Sequence, residues 1–235
     1  MSLPTIYLLD VAPGMTDAWA HAFEGIPGAH VVQDDFAGFM DAHPQVDCIV
    51  APGNSYGLMD AGYDAAIVSY YGEGLKHAVQ RKILDDWFGE QPVGTSMSIE
   101  HAGMTLVHTP VMRVPSVVRD PMVVYHATRS ALIEAMCGGV KAVVVPAFGA
   151  GCGKVPHDVV ARLMAQAYRQ LANPPAELSW RYAHSLDLPD SLQHALREVQ
   201  SIPLVDRSDF DYSDLDSLKR ERLISRGYAT EGDFE

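Results

Sequence analysis

The chain has 235 residues, 48% apolar and 20% charged, enough for one sizeable hydrophobic core and too ordered in composition for a disordered or low-complexity protein. Thirty acids against 17 bases leave a formal charge of −13, the wrong sign for gripping a nucleic-acid backbone or an anionic membrane as a general partner. Cys48, Cys137 and Cys152 form no C-x-x-C pair, and no export signal opens the chain, so the expectation is a soluble cytoplasmic protein without disulfides.

Apolar runs of strand length alternate with helix-periodic stretches. In chain order the pattern predicts a strand over residues 5–10, a helix over 17–23, a strand over 29–33, a short helix over 36–42 and a strand over 46–51. Helices follow over 64–71 and 73–88, then a strand over 105–109, a long helix over 122–137 and an almost pure valine and alanine strand over 141–147. A helix over 156–171 opens on Pro156, a favoured first-turn residue, and a last strand over 178–184 precedes a helix over 190–199. Strands apolar on both faces and separated by helices imply an α/β fold. The expected form is a three-layer α/β/α sandwich around a mixed, largely parallel central sheet. Ligands of such sheets sit at the C-terminal strand ends. The domain is expected over residues 1–205. From 206 to 235 nine acids and five bases with few large apolar groups mark an acidic C-terminal extension, read as a solvated tail with a short charged helix over 215–223.

Two glycine-bearing loops follow buried strands. The first is Ala51-Pro-Gly-Asn-Ser-Tyr-Gly-Leu-Met-Asp-Ala-Gly-Tyr-Asp64, and the second is Pro146-Ala-Phe-Gly-Ala-Gly-Cys-Gly-Lys-Val-Pro156. Glycine lets a backbone approach a ligand closely, and a loop that opens a helix can aim N–H groups at an anion. Neither loop is a G-x-G-x-x-G fingerprint or carries the Lys-Ser/Thr of a P-loop. A loop that merely turns the chain is the plain alternative for either; the pair together suits a diphosphate clasped from both sides.

These segments resemble the macrodomain family, an ADP-ribose-binding module also associated with processing of ADP-ribose 1″-phosphate. Asn54, followed after six residues by Ala61-Gly-Tyr-Asp64, resembles that family's first loop, and residues 146–156 resemble its second. Leu106-Val-His-Thr-Pro110 resembles a strand of the family, and Pro92-Val-Gly94 the turn ahead of the preceding strand. Met112-Arg-Val-Pro115, Asn54-Ser-Tyr-Gly-Leu-Met-Asp60 and Gly149-Ala-Gly-Cys-Gly-Lys154 are similar to a bacterial and phage branch. The resemblance covers roughly residues 30–172.

By position, the resemblance assigns roles. Asp35, with Asp34 as its rival, would accept from the adenine amino group, and Phe36 would offer a backbone N–H to the adenine edge. Asn54 would hold the distal ribose and Asp64 would orient or activate water at its anomeric carbon. Gly62, Tyr63, Phe148, Gly149, Ala150, Gly151, Cys152 and Gly153 would surround the diphosphate and distal ribose. The implied partner is ADP-ribose or an ADP-ribosylated macromolecule, with no cofactor or metal. The implied activity is hydrolysis of an ADP-ribosyl conjugate or of the 1″-phosphate; a non-catalytic reader, or a binder of another nucleotide, are the alternatives.

The chain departs from the family pattern at three places. Ala51 stands where a second Asn is frequent, the first loop's glycine run is thinned to Met59-Asp-Ala-Gly62, and Gly153 and Lys154 stand where an aromatic often covers the ribose. Tyr63, Tyr56 or Phe148 would have to supply a ring. From the residues alone, the favoured reading of Asp64 is the N-cap of the following helix, a common place for aspartate; the resemblance puts the reacting role ahead of it. A Cys152 nucleophile has no histidine near it in sequence, and the ten scattered histidines, His108 among them, read as surface or packing residues.

Overall fold

The computed structural model describes residues 3–185 and 190–201. Six strands form one sheet: β1 (Thr5–Asp10), β2 (Ala29–Gln33), β3 (Cys48–Ala51), β4 (Met97–His101), β5 (Met104–His108) and β6 (Ala142–Pro146). Their order is β2-β1-β6-β3-β5-β4, all parallel except the β4–β5 pair. After β2 the chain crosses to the other side of β1, and β6 later fills the gap between β1 and β3. The crevice of a switch in strand order therefore opens at the C-terminal ends of β1, β6 and β3.

Eight helices cover the two faces: α1 (Pro13–Ala22), α2 (Phe36–Ala42), α3 (Gly62–Tyr71), α4 (Glu73–Trp87), α5 (Met122–Cys137), α6 (His157–Ala172), α7 (Trp180–Ser185) and α8 (Asp190–Ser201). The alternation of strand side chains divides the core. Ile6, Leu8, Cys48, Val50, Val143 and Val145 face α1, α5, α6 and α8. Leu9, Ile49, Ala51, Val144 and Leu106 face α2, α3 and α4. β6 is buried along its whole length, as a central parallel strand between two helical layers must be. Each of its valines contributes about 1.5–3 kcal/mol of burial. Trp19, fully buried on α1, gives its indole N–H to the Met164 thioether at 3.4 Å.

The α/β/α reading therefore holds, with four local differences. β4 is an additional edge strand, joined to β5 by a two-residue turn at Ala102 and Gly103, both at positive φ (51° and 78°). Residues 178–184, expected as a strand, instead contain the short helix α7. Ser179 initiates it, its Oγ accepting from the Tyr182 amide at 3.2 Å and its carbonyl from Ala183. That local cap outweighs the alternation of Leu178, Trp180 and Tyr182. α1 begins at Pro13 rather than at residue 17, with proline in the first turn. Pro156 is the N-cap of α6 and not its first helical residue. The acidic segment expected from residue 206 lies outside the described residues. Among those residues no helix is long and apolar enough to cross a membrane.

Candidate active site

A cavity of about 480 Å³ opens where the switch in strand order requires it. It runs past Asp34, Asp35 and Phe36 after β2, Asp10 after β1, Ala147 to Gly153 after β6, and Gly53 and Asn54 after β3. Four adjacent strands span about 14 Å at a spacing of about 4.8 Å, so the cleft suits an extended ligand. Its charged lining is Asp10, Asp34, Asp35, Asp60 and Asp64, and no lysine or arginine lines it among the described residues. An anion held here would have to be held by backbone N–H groups.

The second loop supplies such groups. The amides of residues 150–153 donate to no protein acceptor among the described residues, and the loop is closed by Val155 N–H to the Gly149 carbonyl and Val118 N–H to the Gly153 carbonyl. Glycine is obligatory at 153, because a Cβ there would lie 2.4 Å from the Gly149 carbonyl oxygen and 2.8 Å from Val118. On the opposite wall the first turn of α3, Gly62 and Tyr63, faces the cleft with N–H groups that a helix start cannot pair internally. Cys152 is exposed and lines the cleft. Phe148 is different: its side chain is fully buried in the core among the β6–α5–α6 packing and does not line the cavity, so it supplies no ring to a ligand. Tyr56 also stands apart. Its hydroxyl donates to Glu90 at 2.8 Å, and Arg113, paired to the same carboxylate, lies 5.3 Å over its ring. Tyr63 is the aromatic that remains in the cleft, edge-on to Phe36 with centroids 5.4 Å apart.

At the β2 end, Asp35 is the N-cap of α2, one of its oxygens accepting from Gly38 N–H at 2.8 Å. Asp34 accepts from the Asp35 amide. The side chain of Phe36 is buried and its amide, at the helix start, faces the cavity wall without an intrahelical partner.

At the β3 end, the Asn54 side-chain oxygen accepts from Tyr56 N–H at 3.0 Å, and its carbonyl accepts from Gly57, which holds the loop as an Asx turn. The amide nitrogen is left to donate into the cleft. Asp64 is not the N-cap of α3; that position is Ala61, without a side-chain cap. Asp64 sits in the first helical turn, 8% exposed, and its Oδ1 is buried with no partner among the described residues. Burial, reinforced by the nearby negative charge of Asp60, pushes its carboxyl up from 3.8 to about 7. A helix N-terminus favours a carboxylate, but desolvation outweighs it here.

Beneath this end lie residues that spacing did not single out. His108, at the end of β5, is completely buried, and burial lowers its imidazole to about 4, so it is neutral. Its Nδ1 lies 2.7 Å from Oε1 of the fully buried Gln91, while its Nε2 has no partner. Gly53 lies directly above: a Cβ on Gly53 would fall 2.4 Å from His108 Nε2 and 3.1 Å from Asp64 Oδ2. Glycine at 53 is what admits both groups.

The domain model described as Macro domain matches residues 50–164, the segment from the end of β3 through the first half of α6. An uncharacterized protein of Aquifex aeolicus (strain VF5) is 34% identical over 125 residues, 53% of this chain and 73% of that one. The chain belongs to the macro domain family. Among solved structures it is similar to a mutant macrodomain of Oceanobacillus iheyensis with ADPR, at 19% identity and a TM-score of 0.47 over 66% of this chain and 86% of that one. It is also similar to the macrodomain of Mycobacterium tuberculosis DarG, at 16% identity and a TM-score of 0.48 over 55% of this chain and 85% of that one.

Proposed function

We propose that this macro domain binds ADP-ribose along the cleft and hydrolyses the bond between the distal ribose and its substituent, with Asp64 as the acid–base group. The observation that carries the reading is Asp64 itself. It is a buried carboxylate at the end of a ligand-sized cavity, freed from any capping role, with one oxygen unpartnered and a pKa moved to about 7. Such a group is poised to hold a water against an anomeric carbon and take its proton as the C1″ bond breaks and oxocarbenium charge builds. Water adds to C1″, the leaving group departs with a proton, and free ADP-ribose remains. Asn54 donates to a ribose hydroxyl without titrating.

The rest of the cleft has matching chemistry. The amides of residues 150–153 and the start of α3 face where a diphosphate would lie, which accounts for anion binding in a cleft without lysine or arginine. Asp35 and the Phe36 amide, at the β2 end, offer an acceptor and a donor for an adenine edge. The free thiols of Cys48, Cys137 and Cys152 accord with a cytoplasmic setting. The protein partner is then the ADP-ribosylated macromolecule whose modification is removed, and residues 206–235 are an acidic C-terminal extension in sequence.

Isothermal titration with ADP-ribose, ADP and AMP tests the binding half. Micromolar binding, about −8 kcal/mol, that weakens for AMP supports the two-loop cleft; absence of binding by ADP-ribose refutes it. Steady-state release of ADP-ribose from a conjugate in excess over protein tests the catalytic half, and binding without turnover would mark a reader instead.

A further inference from the structure

Asp64 is the reacting group of the proposed mechanism, yet nothing in its own helix fixes its carboxyl: Oδ1 is buried and unpartnered. The group that faces it lies below the site. Gln91 explains which form of His108 is present. Its amide nitrogen lies 3.2 Å from the Thr95 carbonyl and 3.2 Å from the His108 carbonyl, both of which can only accept. The amide oxygen is thereby turned to His108 Nδ1, which must carry the proton. With the imidazole neutral, Nε2 is left as a bare acceptor, completely buried. The Gln91 backbone is pinned in turn by its N–H to the Ser55 carbonyl, one residue from Asn54.

His108 Nε2 and Asp64 Oδ2 both crowd the place that a Gly53 side chain would take, 2.4 Å and 3.1 Å from it. Their separation cannot exceed the sum of those two distances, which is within reach of a single bridging water. An acceptor without a proton can do one thing for a carboxyl group, which is to receive its hydrogen.

On the basis of the proposed hydrolase reading, we propose that the Gln91–His108 pair is a positioning device for Asp64: His108 Nε2 accepts the hydrogen of the Asp64 carboxyl through one bridging water and so fixes the rotamer of that carboxyl. The protonated Asp64 that follows proton uptake is held in one rotamer, with Oδ2 on the side of His108 and Oδ1 buried. The other charged and titratable groups around Asp64 are Asp60 in the preceding loop and Tyr63 beside it on α3, with Asp10 of β1 acting on Tyr63. Asp60 favours the protonated carboxyl through its negative charge, and the neutral imidazole of His108 adds an uncharged acceptor for its hydrogen at the Gly53 approach. A buried acceptor without a donor costs about 1–3 kcal/mol, so a chain that merely packed β5 would be better served by an apolar residue at 108.

Two measurements test this, one independent of turnover. Nitrogen-15 NMR of the histidine side chains in the full chain reads His108 directly. The account expects Nδ1 protonated, Nε2 bare, and an Nε2 resonance that steps as Asp64 ionises near pH 7 and loses that step in Asp64→Asn. A proton on Nε2, or a resonance indifferent to Asp64→Asn, overturns the proposal even if the protein hydrolyses conjugates well. In kinetics, His108→Leu should lower kcat about 10- to 100-fold while ADP-ribose Kd stays within about twofold. His108→Gln, which keeps an acceptor at that depth, should recover part of kcat. A folded His108→Leu with wild-type kcat overturns the proposal. Failure of the hydrolase reading shows itself separately, as a wild-type protein without turnover.

Discussion

Replacing Asp64 by asparagine should stabilise the fold above neutral pH while removing turnover. In the unfolded chain the carboxyl titrates near 3.8 and in the folded protein near 7, so between those values the folded state holds the proton more tightly. The stability this group lends is therefore fully present below about pH 4, declines as pH rises, and is gone above about pH 7. A displacement from 3.8 to about 7, at 1.36 kcal/mol per pH unit, corresponds to about 4 kcal/mol. Asparagine stays neutral throughout and has nearly the same shape. The stability of Asp64→Asn relative to wild type should therefore climb by about 2–4 kcal/mol between about pH 4.5 and about pH 8, read from urea midpoints at constant m-value. The completely buried Trp19 supplies the fluorescence signal. A difference that stays flat across that range would show that the folded protein solvates the carboxyl as well as water does, and the argument from burial would fail.

The kcat of wild type should rise with pH through an apparent pKa near 7, the value to which burial moves Asp64, and a falling profile would make the group an acid rather than a base. Gly53→Ala, which sets a methyl 2.4 Å from His108 Nε2, should cost about 1–3 kcal/mol by overpacking and most of the turnover; an unchanged Tm would refute the close approach. Gly153→Ala, whose methyl meets the Gly149 carbonyl at 2.4 Å and the buried Val118 at 2.8 Å, should weaken ADP-ribose by about tenfold or more and cost about 1–3 kcal/mol of stability by overpacking; unchanged affinity would refute the role given to the loop. Alkylation of Cys152, exposed in the cleft, should be blocked by ADP-ribose while the equally exposed Cys137 stays reactive; equal protection of both would argue against ligand in the cleft.

The valine run of β6 and the alternation of apolar strands with amphipathic helices made the layered sheet legible in the sequence, because both faces of a central strand must be apolar. The edge was less so. β4, with Glu100 and His101 among its five residues, has a weak apolar signal, and its turn is Ala-Gly rather than Asn-Gly. α7 was misread because Leu178, Trp180 and Tyr182 alternate as in a strand, whereas a Ser179 cap decides the local conformation. In the site, glycine spacing located both loops, yet it could not tell whether Phe148 points to ligand or core; in the fold its ring is fully buried in the core. Asp64 was readable as a cap or as a reacting group, and Ala61 taking the cap position removes the first reading. His108 and Gln91 were illegible because His108 comes beside the Gly53 approach to Asp64 only through the parallel pairing of β3 with β5, and Gln91 only through its bond to His108. A weak signal existed in the histidine that follows the apolar Leu106-Val107 pair at the end of the strand.

The central claim is that Asp64 breaks a bond at the distal ribose. Release of ADP-ribose from a conjugate in excess over protein, followed for wild type and Asp64→Asn side by side, tests it most directly. The account predicts repeated turnover by wild type and a loss of about 100-fold or more in the variant, with ADP-ribose affinity retained. Equal rates for the two proteins would contradict it.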